Sequence, residues 1–368
     1  MEERYIAVFI IHAIGDTIGY NNRLYEFNFN KPVRNLNDVH ELFYDFLHQG
    51  GINHFSLKDR NVSDDTLMHI AVGKSLKQDQ NQKTLYKKMA ENFIKTYNKY
   101  FENEDLRSPG ITIMKNIKKI KDGRDYDKTP YLFSDGGSGA SMRNACLGLI
   151  YDDIDQLLEI SIFSSKITHN SATGYLGGFV SAYFTYLAIN DIHINEWGFK
   201  LLEILESDRI LNLFKKKGTQ EDIENYKKDS IYFISKWKLY MNDKFKDKKP
   251  VQRKSFTNLV FRSKYYNENI TTSIHNNLNE IQFIGSAGDD STIISYDCLL
   301  DSQDNWEKLV IYAMLHVGDT DTTGCIAGAW YGAYYGFKNI PKHYRKEVEF
   351  KTELETLGKD LYKIKFKK

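Results

Sequence analysis

The stretch "HVGDTDTTGCIAGAWYGAYYG", residues 316–336, sets the fold problem. Gly324, Gly328, Gly332 and Gly336 recur at every fourth position, with Ala329 and Ala333 beside them. At 3.6 residues per turn these glycines share one helix face. Each costs about 1 kcal/mol of helix stability relative to alanine, so the row predicts another backbone packed closely against it. Immediately upstream stands Asp319-Thr320-Asp321-Thr322-Thr323, dense in hard oxygen ligands. The stretch reads as a clamped helix with a polar site at its N-terminal end.

The rest of the chain narrows what that site serves. Fifty basic residues balance 49 acidic ones for a formal charge of +1, which leaves no electrostatic footprint for nucleic acid. Lysine clusters such as "FKKKG" and "DKFKDKKP" lie among acids and read as solvated surface. Cys146, Cys298 and Cys325 have neither metal-ligand nor disulfide-framework spacing, so they fit a reducing compartment and a packing role. The N-terminus "MEERYIAVFIIHAIGD" follows acids with an apolar run too short for a membrane span and wrongly flanked for a signal peptide. A soluble, cytoplasmic monomer is expected, with no membrane partner.

Helical periodicity dominates. A first helix is marked by Ile6, Phe9, Ile10 and Ala13 and is expected to stop at Gly15-Asp16. Another is opened by Ser63 as N-cap, with acids in its first turn. Further helices fit residues 85–100, 141–151, 155–166, 172–189, 197–206, 223–240, 305–315 and 323–337. Strand-like alternation is scarce. One all-α domain over residues 1–368 is expected, with the Lys/Asn-rich segment 205–280 as a peripheral insertion or layer.

Three glycine loops next to aspartates punctuate these helices: "IGDTIGYNN" at 14–22, "FSDGGSGASMR" at 133–143 and "FIGSAGDDS" at 283–291. Familiar motif readings fail on them. As an EF-hand, Asp319-x-Asp321 requires a bidentate Glu at position twelve, where Trp330 stands. A D-x-D-x-T phosphatase would need a parallel sheet to follow, and only a short tail remains. "SDGGSGASM" lacks the Gly-Lys-Ser/Thr of a P-loop and the full dinucleotide fingerprint. "VSDDTLMHI" at 62–70 adds Ser63, Asp64 and Asp65, which an isolated helix would use for N-capping. Joined to Asp319, Asp321 and Thr322, the set has four carboxylates and two hydroxyls. Converging acids repel, and an oxygen-only set that takes a cation selects Mg²⁺, Mn²⁺ or Ca²⁺ over zinc.

Five ordered segments, "GDTIGY", "VSDDTLMH", "GGSGASMRNACLGL", "ITHNSATGYLGG" and "HVGDTDTTGCIAGAWYGAYYGF", resemble the ADP-ribosylglycohydrolase family, closest to its ADP-ribosylarginine hydrolase branch. The likeness is thinnest between about 205 and 275. It implies a compact orthogonal helical bundle holding two Mg²⁺ or Mn²⁺ ions, with ADP-ribose lying across them. Ser63, Asp64 and Asp65 then match one set of metal ligands, and Asp319, Asp321 and Thr322 the other. Asp135, Gly136, Gly137, Ser138, Gly139 and Ala140 resemble the loop whose backbone approaches the diphosphate. His169 matches an ADP-ribose contact, and Glu26 an acid beside the metals. Tyr20 is expected to pack on the ligand, and Ser286 and Gly288 to border the adenosine or proximal ribose.

The chain also departs from the pattern. Asn170-Ser171-Ala172 replaces a run of histidines and a proline. Glu280 and Phe283 stand where a Tyr and a Trp are usual, with Tyr265 or Tyr266 as substitutes for adenine stacking. "RSPG" at 107–110 is similar to the arginine branch's own R-x-P-G. The resemblance implies a hydrolase that removes ADP-ribose from arginine side chains of ADP-ribosylated proteins, with Glu26, Asp64 and Asp65 as catalytic acids and ADP-ribose as product. The alternatives are cleavage of O-linked (serine) ADP-ribose or free ADP-ribose derivatives, and a non-catalytic ADP-ribose binder.

Overall fold

The helix Glu2–Tyr20 is buried on every side from Tyr5 to Tyr20, which makes it the axis of the molecule. The computed structural model describes all residues except 29–35, 80, 103–105, 253–257, 272–282 and 367–368. The first helix does not stop at Gly15-Asp16, because both residues have tertiary work. Asp16 caps a second helix, and Gly15 meets the glycine helix Thr320–Tyr335. A methyl group at Gly15 would lie 2.2 Å from the Gly324 carbonyl oxygen, and one at Gly19 would lie 2.2 Å from that of Thr320. In the other direction, Gly328 faces the Ile11 carbonyl at 2.5 Å and Gly332 that of Ala7 at 2.5 Å. Positions that descend on one helix as they ascend on the other define an antiparallel backbone-to-backbone seam. Gly336 is not on it. That residue ends the glycine helix with φ +62, a conformation that favours glycine.

The seam brings the C-terminal end of the first helix to the N-terminal end of the glycine helix. The Thr320 hydroxyl donates to the Gly19 carbonyl across this junction at 2.7 Å. The helix Asp64–Gln78 starts at the same place, with Ser63 as its N-cap. Three helix ends thus converge on one point.

Helices Ile154–Lys166, Ala172–Ile189 and Gly288–Ser302 complete the frame around that point. No α-helix forms over 141–151. The chain there makes 3₁₀ turns, Ser138–Ala140 and Ala145–Leu149. Buried Arg143 donates to the Gly139 carbonyl at 2.6 Å, and a methyl at Gly148 would lie 2.2 Å from the Ala182 carbonyl. Packing overrides propensity there. The helix Gly288–Ser302 grows directly out of the third glycine loop. Asp290 accepts from the amides of Ala287 at 2.8 Å and Gly285 at 3.2 Å, so the loop's acids serve as a helix cap.

In the segment 205–280, the helix Gln220–Lys244 sends Phe233, Trp237, Tyr240 and Met241 into the common core. Trp237 meets Phe184 with ring centroids 5.7 Å apart. The only sheet among the described residues is a two-residue hairpin, Phe245–Lys246 with Lys249–Pro250. Of the described residues, 74% are helical. The three cysteines are free and buried, and no helix among the described residues is long and apolar enough to cross a membrane.

Candidate active site

A cavity of about 480 Å³ opens where the three helix ends meet. Its wall contains Glu26, Asp64, Asp65, Gly137, Ser138, Gly139, His169, Ser286, Asp319, Asp321 and Thr322, all expected there from sequence. Backbone placement explains the convergence. Asp16 accepts from the Ser63 amide at 3.0 Å and the Thr66 amide at 3.1 Å, fixing the turn that carries Asp64 and Asp65. The Asp64 amide donates to the Arg107 carbonyl at 2.9 Å. The Asp319 amide donates to the Ile284 carbonyl at 2.8 Å, and the Phe27 amide to that of Gly318 at 2.8 Å, which brings Glu26 over the aspartates. Glu26 arrives through a stretch in which Asn21, Asn22, Arg23 and Phe27 all hold positive φ. Asparagine tolerates this region, whereas Arg23 and Phe27 are strained there, and strain of this kind concentrates at functional sites.

Five carboxylates therefore share one buried space. Burial pushes Glu26, Asp64, Asp65 and Asp319 well above the usual carboxylate range, and the charge of Asp321 pushes them further. Burial also raises Asp321 itself. Behind them Asp16 is raised to about 7, by burial first and Asp321 second. Neutral donors give partial relief. The Thr322 hydroxyl donates to Asp65 Oδ2 at 2.9 Å and the Cys325 thiol donates to the same oxygen at 3.2 Å. His169 does not contribute charge, because burial and the nearby Arg143 and Lys115 hold it neutral.

Among the described residues, no three His, Cys, Asp or Glu side chains are already drawn together as a ready-made metal cage. The donor set nevertheless fits a hard divalent cation. It is all oxygen and strongly anionic, and Glu26 Oε2 is buried without a hydrogen-bond partner. A cation would supply the missing partner and cancel the repulsion that raises the acids.

The other expected site residues stand behind the wall. Tyr20 sends its hydroxyl to the Leu106 carbonyl at 2.8 Å, so it supports the wall and does not pack on the ligand space. The Ser63 hydroxyl accepts from the Asp65 amide at 3.1 Å as a helix cap and also reaches the Asp321 carboxyl, which keeps it beside the acids. Asp135 is buried and turns away from the cavity to Lys115 at 2.7 Å and Asn116 at 3.2 Å. Gly136 accepts from the Gly288 amide at 2.9 Å, and Gly288 packs against Thr173. Tyr265 and Tyr266 are tied to Asp243 and Asp297, away from the cavity, and Glu280 lies outside the described residues. Phe283 lines the cavity instead, in ring contact with Phe27 at 6.0 Å.

Several wall residues were not anticipated: Arg23, Phe27, Met142 and the run Ser108–Ile113. The "RSPG" motif held the available signal for that run. Arg107 itself forks onto Glu349 at 2.7 and 2.9 Å and donates to the Val62 carbonyl at 2.7 Å. It clamps the wall to the aspartate turn and does not enter the cavity.

The ADP-ribosylglycohydrolase family model matches residues 1–367. The chain belongs to this family of hydrolases. It is 33% identical to the ADP-ribosylhydrolase ARH1 of Dictyostelium discoideum, over 96% of this chain and 92% of that one. It is 32% identical to a putative ADP-ribosyl glycohydrolase, L444, of Acanthamoeba polyphaga mimivirus, over 94% and 67% of the two chains. A solved structure described as an ADP-ribosylglycohydrolase-related protein complex superposes with a TM-score of 0.60 at 17% identity, covering 99% of each chain. That likeness shows the all-α fold alone. Within this ADP-ribosylglycohydrolase, the acid cavity lies where the family motifs converge.

Proposed function

We propose that the protein removes ADP-ribose from arginine side chains of ADP-ribosylated proteins, using two Mg²⁺ or Mn²⁺ ions held by Ser63, Asp64, Asp65, Asp319, Asp321 and Thr322. The observation that carries this reading is the convergence of five buried carboxylates that burial and mutual repulsion raise above the usual range. Bound there, the ions supply Lewis acidity toward ribose hydroxyls and the attacking water. Glu26, with Oε2 unpartnered, is placed to take the proton from that water. Asp64 and Asp65 add negative charge beside the reacting carbon, which favours oxocarbenium character as the guanidinium leaves. The loop 137–139 stands at the cavity wall with glycines on either side of Ser138, leaving room for a diphosphate beside the backbone. The arginine linkage is supported by the motif resemblance, "RSPG" included, and by an anionic site that suits a cationic leaving group.

The test is hydrolysis of arginine-linked against serine-linked ADP-ribosyl peptides, in Mg²⁺ and after dialysis against EDTA. Mg²⁺-dependent cleavage of the arginine-linked peptide is expected. Preference for the serine linkage overturns the substrate assignment, and full turnover in EDTA overturns the metal dependence.

A further inference from the structure

Ser108 stands in the cavity wall with φ +47, a left-handed conformation that serine rarely adopts, and the next residue is Pro109. Residues before proline favour extended backbone, so the proline adds to the strain. The chain on either side is held. Arg107 is forked onto Glu349 at 2.7 and 2.9 Å, and its carbonyl accepts the Asp64 amide at 2.9 Å. Two residues beyond Ser108, the Gly110 amide donates to the Asp64 carboxyl. Residues 107–110 therefore wrap the Asp64 turn, and Ser108 is the corner between the two contacts.

This corner aims a hydroxyl. Ser108 Oγ lies 3.4 Å from the Tyr20 hydroxyl and also reaches the Glu26 carboxyl. Tyr20 gives its own hydrogen to the Leu106 carbonyl at 2.8 Å, which leaves the Ser108 hydrogen for the carboxylate. One such contact orients the carboxyl without occupying Glu26 Oε2, which has no hydrogen-bond partner. Glu26 and Asp64 come from separate segments, and the corner touches both. We propose that Ser108 is a positioning residue for the hydrolysis: its strained backbone sets the Glu26 carboxyl in register with the Asp64 turn. A turn that only closed the wall would be served better by glycine, which adopts this φ without strain. Serine supplies the hydroxyl that glycine lacks. The inference rests on the hydrolase reading above, in which Glu26 takes the proton from water.

The test compares Ser108→Gly with Ser108→Ala. Both remove the hydroxyl, and glycine alone also relieves the backbone. The substrate is whichever ADP-ribosyl peptide, arginine-linked or serine-linked, the wild type cleaves in Mg²⁺. Both variants are expected to lose about tenfold in kcat, the effect of one orienting hydrogen bond. KM and inhibition by free ADP-ribose should stay within about twofold of wild type. Ser108→Gly should nevertheless melt about 1–2 °C above Ser108→Ala. A purely structural corner would make activity follow melting temperature, with glycine the faster variant, and that result overturns the proposal. Wild-type kcat in Ser108→Ala overturns it too. Weaker inhibition by ADP-ribose with unchanged kcat does the same, by making Ser108 a ligand contact. If the wild type cleaves neither linkage, the hydrolase reading falls and takes this inference with it; an active wild type with unaffected variants sinks the inference alone.

Discussion

Asp297, buried, and Asp301, half-buried, stand beside two cations, whereas Glu26, Asp64, Asp65, Asp319 and Asp321 are buried beside one another. In the first cluster Lys244 bridges Asp297 at 2.6 Å and Asp301 at 2.7 Å, and Arg262 bridges the same pair at 2.8 and 2.5 Å. Burial alone would raise Asp297, yet Lys244 and Arg262 outweigh it and hold the carboxyl below its usual range. In the second cluster burial and like charge act in the same direction, and the acids are raised. The fold thus contains a closed ring of opposite charges that joins the segment 205–280 to the helix Gly288–Ser302, and a concentration of one charge at the cavity. Buried like charges persist when something other than stability selects them. The difference marks one cluster as structural and supports the proposal that the other binds cations.

The strongest way to break this comparison is to remove one charge from each cluster. Arg262→Met leaves Asp297 and Asp301 under-compensated and should cost about 3–5 kcal/mol of stability, as breaking buried pairs does. Asp321→Asn removes the neighbour that raises five other acids. The metal-free variant should melt at or above the wild-type temperature, while turnover in Mg²⁺ falls by at least ~100-fold. Asp64→Asn should behave alike. Urea unfolding in EDTA, paired with rate measurements in Mg²⁺, checks both halves. Equal destabilisation by Arg262→Met and Asp321→Asn would make the cavity acids structural and erase the distinction.

A pH titration sharpens the same contrast with a smaller effect. Asp16 has a folded-state value of about 7 against an ordinary 3.8, so its contribution to stability is present at low pH and is lost as pH rises through about 7. Asp297 is shifted the other way; its contribution is present above the ordinary value and lost only in acid. Buried His12, His69, His169 and His316 are held neutral and lose stability as pH falls below about 6.5. Above that value they titrate in neither state. Between about pH 6.5 and 7.5 the metal-free melting temperature should therefore fall as Asp16 ionises, and the stabilisation conferred by Mg²⁺ should grow. A Mg²⁺ effect that is flat across this window would detach the raised acids from cation binding.

The contrast between the clusters also shows what could be read from residues in order. The seam was legible because Gly324, Gly328 and Gly332 repeat at helical spacing, and a repeated helical glycine has few uses other than close approach. The aspartates of the cavity were legible because their motifs are short and local. The ring of charges was not, since Lys244, Arg262, Asp297 and Asp301 carry no motif and meet only through packing. Asp135 shows the opposite error: it sits inside a recognisable loop, yet Lys115, twenty residues upstream, turns it away from the cavity. Helix ends failed for a similar reason. Gly15-Asp16 reads as a stop until the glycine helix and the Ser63 turn supply partners for both residues.

Glycines give the finest test, because the same residue type serves the seam and the cavity. At Gly328 an added methyl would meet the Ile11 carbonyl oxygen at 2.5 Å, and that backbone cannot move without opening the seam. Gly328→Ala should cost about 1–3 kcal/mol. Gly137 differs in every respect. Its φ of −61 suits any residue, and an added methyl would lie 3.7 Å from both His169 Nε2 and the Ser286 carbonyl oxygen, ordinary contact distances. Gly137→Ala should therefore change stability by less than about 0.5 kcal/mol. The methyl would nonetheless occupy cavity space where a diphosphate is expected to approach the backbone, so ADP-ribose affinity should drop by about tenfold. At Gly139 the methyl would press on His169 Cε1 at 2.5 Å and Ile113 Cδ1 at 2.9 Å, so Gly139→Ala should lower both stability and affinity. Calorimetric titration of ADP-ribose in saturating Mg²⁺, beside thermal melts, separates the three substitutions. Wild-type affinity in Gly137→Ala would move the diphosphate off this loop and leave the acids as the anchored part of the site.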